Sequence, residues 1–372
     1  MGSPLGNIYS TNITPDPDTG IGGYTLADFD RALRRGVAKD GHWLYPAMPY
    51  PSYAKLTDTD VAALYGFFMK QVPPVRQQNL QNEIPLLLSF RWPLAIWSFV
   101  FTTSGSYVVK SDHDADWNRG AYLVQGFGHC GACHTPRGFA WQEKALDESR
   151  PAYLSGALLD AWYAPDLRGD IRTGLGTWSK DDLTDFLKNG HNRAETAFGS
   201  MIDVVNNRTP YLSDSDINAI AVYLKSLPAT APQQPVAYDD ATTAALRSGH
   251  ASQPGAIIYA GTCVNCHGFD AKGFGPYTPA LAGNPIVLDT DPSSLINLVL
   301  NGSNPLVVKG TPDPYRMPQF RQQHSDQEIA DVVTFIRNGW GNQAPAVTAA
   351  EVAKLRKTTD PTSDQVIILK MR

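Results

Sequence analysis

Three separated stretches of this 372-residue chain carry apolar and polar residues in a helical pattern that ends on glycine. They run from Leu26 to Gly36, from Asp182 to Gly190 and from Ser294 to Gly302. Each glycine suits the residue just past a helix C-terminus, where a left-handed backbone is wanted. A lone methionine follows each stretch: Met48, Met201 and Met317. Each methionine is followed by a capping signal, namely Thr57-Asp58-Thr59-Asp60, Ser213-Asp214-Ser215-Asp216 and Ser325-Asp326-Gln327-Glu328. The helices opened by these caps repeat apolar residues at helical spacing. Each also carries one aromatic at a matching place: Tyr65, Tyr223 and Phe335. The order helix, glycine, methionine, capped helix therefore occurs three times and predicts a mainly α fold built from repeats.

The most apolar stretch, Ile84 to Phe101, has about the length of a membrane span. Pro85, Arg91 and Pro93 argue against a straight transmembrane helix. The preferred reading is a buried connector between domains. The sharper alternative is a patch lying on a bilayer surface, with Trp92 and Trp97 as interfacial aromatics.

The chemistry is concentrated in two short runs, Cys130-Gly131-Ala132-Cys133-His134 and Cys263-Val264-Asn265-Cys266-His267, which use all four cysteines. Each is a C-x-x-C-H, the attachment pattern of c-type haem. Two thiols must reach the two vinyl groups of one porphyrin, and the histidine that follows then ligates the iron. A thioredoxin-like site does not need the trailing histidine. Two C-x-x-C halves of a zinc site usually stand roughly 15–20 residues apart, far closer than these. Structural disulfides would leave His134 and His267 unexplained.

In a small class I cytochrome c domain the order is C-x-x-C-H, middle helix, methionine, C-terminal helix, with His and Met on opposite faces of the iron. The expected pairs are His134 with Met201 and His267 with Met317, at similar intervals. A methionine between helices is ordinarily core filler, but here three of six fall at one place in the repeat. The same interval taken back from Met48 would put a C-x-x-C-H at or before residue 1. The expected fold is thus three tandem cytochrome c domains, the first incomplete, with Met48 a ligand only if a first haem is present. The expected boundaries are 1–82 for the incomplete domain, 83–116 for the connector, 117–230 and 231–345 for the haem domains, and 346–372 for a C-terminal tail.

Composition narrows the setting. A net charge of −5 gives no reason to expect a nucleic-acid partner. With 31 glycines, 28 prolines and only 18% charged residues the chain reads as compact and loop-rich. Covalent haem attachment takes place outside the cytoplasm, so a periplasmic location is expected. The N-terminal residues show no export signal. His42, His113, His129, His191, His250 and His324 show no ligand spacing. Gly255 and Tyr259 precede Cys263 as packing positions, with the glycine allowing an N-terminal helix to cross the C-terminal one closely. Gly120 and Tyr122 form a looser equivalent before Cys130.

The chain resembles the multihaem cytochrome c subunits of membrane-bound periplasmic dehydrogenases of the alcohol, aldehyde and gluconate type. The resemblance is carried by Ile8 through Asp16, Thr19 through Gly22, Leu44 through Tyr50, Trp117 through Leu123, His129 through Arg137, and Trp340-Gly341-Asn342. Family members have three haem domains, and their first C-x-x-C-H lies upstream of a run like Ile8 to Ile13. The resemblance implies two covalent haems here and a third in the full family pattern. Cys130, Cys133, Cys263 and Cys266 would be the anchors, and His134, Met201, His267 and Met317 the iron ligands. It implies a separate catalytic subunit, a quinoprotein, flavoprotein or molybdoprotein, as electron donor, and ubiquinone or a terminal oxidase at the inner membrane as acceptor. No substrate chemistry would reside on this chain. The alternatives are a dihaem enzyme such as a peroxidase, which needs an open coordination position, and a free periplasmic shuttle cytochrome.

Overall fold

The computed structural model describes residues 2–3, 6–102, 105–159, 161–308 and 316–360. The fold is mainly helical, and its long helices begin and end where side-chain chemistry directs. Thr25 and Ser179 accept from the backbone N–H of Asp28 and Asp182, whose carboxylates accept in return, opening helices Leu26–Arg35 and Lys180–Asn189. Gly36 and Gly190 close them at φ 65° and 78°, the left-handed region. A side chain on Gly36 would also meet the Tyr50 ring at 2.6 Å. Helix Ser293–Asn301 differs, because Gly302 has φ 72° but ψ −170° and turns the chain into an extended exit. Three 13-residue helices, Asp58–Lys70, Asp214–Ser226 and Asp326–Asn338, follow the caps Thr57, Ser213 and Ser325.

The chain divides into two compact units, with the change at Tyr153/Leu154, inside the stretch 117–230. In the first unit, Phe29, Leu56, Val61 and Tyr122 form a small core. Lys55 ties residues 6–82 to the segment after Ala115. Its buried Nζ donates to Gln125 Oε1 at 2.6 Å and to the Leu146 carbonyl at 2.5 Å. Burial lowers the Lys55 pKa, and Asp147, Glu148 and Glu143 oppose that.

The apolar stretch forms two short helices, Leu86–Ser89 and Pro93–Phe101. It is not buried. Trp97 packs against Tyr50 and donates to the Ala140 carbonyl at 2.8 Å, and Ser98 is buried, but Leu86, Phe90, Trp92, Ile96, Phe99 and Val100 face outward. Phe99 is 88% exposed. A helix apolar all round anchors one side and leaves the rest uncovered. Among the described residues no helix is long and apolar enough to cross a membrane.

The second unit has a larger core in which Tyr259, Ile296, Leu300, Ile329, Val333, Phe335 and Trp340 are buried. Gly255 lies where the helix before Cys263 crosses Asp326–Asn338. A Cβ there would overlap the Asp331 carbonyl and stand 2.6 Å from Val332 Cα. Arg337 is fully buried and donates to the carbonyls of Val287, Asp289 and Pro345 at 3.0, 2.7 and 2.9 Å. Residues 349–358 of the C-terminal stretch form a capped helix that buries Val352 and Leu355 on this core. An antiparallel hairpin, Ser155–Leu159 with Trp162–Asp166, is an insertion that helical periodicity did not announce. It is held to helix Ser293–Asn301 by Ser294, which accepts from Tyr163 N–H at 2.8 Å and donates to the Tyr163 carbonyl at 2.9 Å.

Candidate haem-binding sites

Both C-x-x-C-H runs fold into one short helical turn, Gly131–His134 and Val264–His267. The turn places the residues of C-x-x-C three apart, on one side of the backbone. Each is preceded by a wide π-helical turn, Leu123–Phe127 and Tyr259–Cys263. Such turns recur at functional sites, and the apolar periodicity of the sequence does not reveal them. All four cysteines are free of disulfides. Burial pushes the thiols of Cys130 and Cys263 up to about 12, so neither sulfur is disposed to become a thiolate. An uncharged thioether suits such surroundings. No group of three or more His, Cys, Asp or Glu side chains suited to a metal ion occurs among the described residues.

The site around His267 is the more completely built. Its ring is largely buried, and Nδ1 lies 3.1 Å from the Pro279 carbonyl. A donated Nδ1–H fixes the tautomer and leaves Nε2 as the ligating nitrogen. Burial lowers the His267 pKa, which favours the neutral, ligating imidazole, and the Pro279 bond opposes that. Cys263 and Met317 pack against the same hydrophobic cluster. Met317 is pinned through its backbone: its N–H donates to Ser303 Oγ at 2.9 Å and its carbonyl accepts from Ser303 N–H at 3.0 Å. Tyr259 and Trp340 meet in a tilted pair with ring centroids 4.9 Å apart and hold the turn after the motif, donating to the carbonyls of Gly268 and Phe269 at 2.7 and 2.9 Å.

Cys130, Cys133 and His134 belong to the unit ending at Tyr153, and so does Met48; Met201 belongs to the unit beginning at Leu154. Behind Gly131 lies the carboxyl of Glu143, so close that a Cβ on Gly131 would overlap it. Burial pushes Glu143 up to about 7, with Arg137 and Lys55 opposing. Met201 opens helix Met201–Asn207 and packs with Phe186, Ile202, Val205 and Leu306. The buried Trp178 stacks edge-on against Phe186 at 5.4 Å. Its indole Nε1 is buried without a hydrogen-bond partner among the described residues. A donor left in that state is costly, and a haem propionate is an acceptor that would satisfy it. The C-x-x-C-H donor set in the one unit, and the orphaned indole beside Met201 in the other, each fit a haem. Trp178, Pro279 and Glu143 were not singled out by sequence; an isolated Trp, Pro or Glu carries no periodic or spacing signal.

A family model described as cytochrome c matches residues 252–340, spanning the second C-x-x-C-H and Met317. The cytochrome c subunit of a quinone-type alcohol dehydrogenase from Gluconacetobacter polyoxogenes is 51% identical over 97% of this chain and 78% of its own length. The gluconate 2-dehydrogenase cytochrome c subunit of Pantoea cypripedii is 51% identical over 96% of this chain and 82% of its own length. A dihaem c-type cytochrome of Cereibacter sphaeroides is 38% identical over 60% of this chain and 73% of its own length.

Proposed function

The chain belongs to the cytochrome c subunits of dehydrogenase complexes, and from that premise we propose how its residues carry electrons. It is an electron-transfer subunit and not the catalytic one, and its redox group is covalently bound haem c. When bound, haem c supplies a one-electron iron couple. We assign two such groups to this chain. Cys130 and Cys133 would anchor one, with His134 and Met201 its candidate iron ligands. Cys263 and Cys266 anchor the other, with His267 and Met317. The architecture is three tandem class I domains, of which residues 1–82 keep the glycine, Met48 and the capped helix. The observation that supports the reading is the His267–Pro279 bond, which commits Nδ1 to a backbone carbonyl and leaves Nε2 as the nitrogen that could ligate an iron.

The donor is the catalytic subunit of a periplasmic dehydrogenase, and the acceptor is ubiquinone or a terminal oxidase at the inner membrane. The outward face of Pro93–Phe101 supports a membrane-surface position. Phe101 stacks against Phe139 at 6.1 Å in the loop that follows His134, which brings the apolar face close to the first C-x-x-C-H and gives a lipid-soluble acceptor a short route to it. Anaerobic mixing of the haem-loaded chain with a substrate-reduced alcohol or gluconate dehydrogenase tests the electron-transfer role. Rapid haem reduction is expected; no reduction, or peroxide turnover by the isolated chain, contradicts it.

The membrane position makes a separate prediction. Replacing Ile96 and Phe99 with Glu removes two large apolar side chains from the outward face. Cosedimentation of the holoprotein with anionic vesicles should fall roughly tenfold or more. Unchanged binding would remove this face from the membrane contact.

A further inference from the structure

Glu195 stands in the turn between the Gly190 helix end and Met201, yet it reaches the other haem site. Asn192 Oδ1 accepts from the N–H of Ala194 and of Glu195, both at 2.8 Å, and Asn192 N–H donates to the Glu195 carbonyl at 2.9 Å. This tight turn aims the Glu195 side chain, which is half-buried overall with its carboxyl end in the interior. Oε2 accepts from Asn284 Nδ2 at 2.8 Å, and Oε1 from Thr196 N–H at 3.0 Å. Asn284 Nδ2 also donates to the Ala280 carbonyl at 2.9 Å, and its Oδ1 caps Ile286 N–H at 2.8 Å. Ala280 follows Pro279, whose carbonyl holds His267 Nδ1. The segment between is fixed by Asn342, which accepts from Gly283 N–H at 2.8 Å and donates to the Leu281 carbonyl at 3.0 Å.

A connected chain of hydrogen bonds and one peptide link thus joins Glu195 to His267. The charged groups around it do not neutralise it. Arg193, in the same turn, is ion-paired to Asp182 at 2.9 Å. His191 is buried in that turn, and His267 lies beyond Asn284. The partners of the Glu195 carboxylate among the described residues are two neutral donors. We propose that Glu195 is a positioning residue that links proton binding in the 191–196 turn to the reduction potential of the haem held by His267. Burial pushes this carboxyl up to about 7, with Asn284 and Thr196 opposing, so its ionisation spans neutral pH.

The sign follows from electrostatics. An ionised Glu195 disfavours adding an electron to the iron, and a low-dielectric surrounding strengthens that effect. Potential therefore falls as pH rises through neutrality, and reduction in turn raises the proton affinity of Glu195. This inference rests on the haem assignment above. Spectroelectrochemical titration of the full haem-loaded chain across neutral pH tests it. In the wild type, one of the two midpoint potentials should fall with pH. In Glu195→Gln that potential should stay near its acid-limit value with its slope largely lost, while the other haem keeps its wild-type behaviour. In Asn284→Ala, loss of the donor to Oε2 should move the same transition to higher pH, a second reading should Glu195→Gln fold poorly. A pH-independent wild type, or the same slope in Glu195→Gln as in the wild type, overturns the proposal. A chain that attaches no haem would instead overturn the haem assignment.

Discussion

Replacing both Cys130 and Cys133 with Ala is expected to remove one covalently bound haem and leave the other. Each pair supplies the only two thiols of its C-x-x-C-H, and the chain has four cysteines in all. Neither pair has a spare sulfur to compensate. Thioether bonds hold the ring irrespective of axial ligation, so their loss shows directly as haem that no longer survives denaturing electrophoresis. Haem per chain should fall from two to one in this variant, and likewise in Cys263→Ala with Cys266→Ala. The double pair should carry none. Haem staining and haemochrome counting check this. A variant that keeps both haems would show that these thiols are not the anchors.

The second large effect belongs to Gly255. Substitution by Ala places a methyl group into the backbone of the C-terminal helix at Asp331 and Val332. It also forces a side chain onto a residue at φ 84°. The neighbours are backbone atoms of a capped 13-residue helix, so they cannot swing aside. Strain from the left-handed conformation and the overlap together should cost about 2–4 kcal/mol. Most of that falls on the core holding Tyr259, Phe335 and Trp340, and with it the loop of the second C-x-x-C-H. A thermal melt followed at the haem absorbance should show an early transition for that haem alone. Coincident melting of Gly255→Ala and wild type would contradict the crossing geometry.

What the residues disclosed and what they hid follow a physical division. Helix ends are local: a Thr or Ser cap, an acidic third residue and a closing Gly act within one turn, so the caps Thr57, Ser213 and Ser325 and the closing Gly36 and Gly190 are legible in the sequence. The two C-x-x-C-H runs are legible for the same reason. The hairpin at 155–166 is short, one strand contains Gly156 and the other Pro165, and its stability comes from Ser294 and Asn297 far along the chain. No local pattern could have announced it. Lys55 and Arg337 are buried through carbonyl acceptors that only tertiary structure supplies. The stretch from Ile84 to Phe101 misleads in the other direction. Hydrophobicity there suggested burial, but an apolar face is equally consistent with an uncovered one, and only packing around Trp97 shows which side is anchored. The link from Glu195 to His267 joins residues far apart in the chain through Asn284, and is invisible without the fold.

The central claim is that this chain carries two covalent haems, each closed by a histidine and a methionine. Haemochrome quantification against protein concentration, with the optical spectrum of the same sample, tests it most directly. The expected result is two haems per chain and low-spin spectra in both redox states, as six-coordinate iron requires. One or three haems per chain, or a high-spin component from an open coordination position, would contradict it.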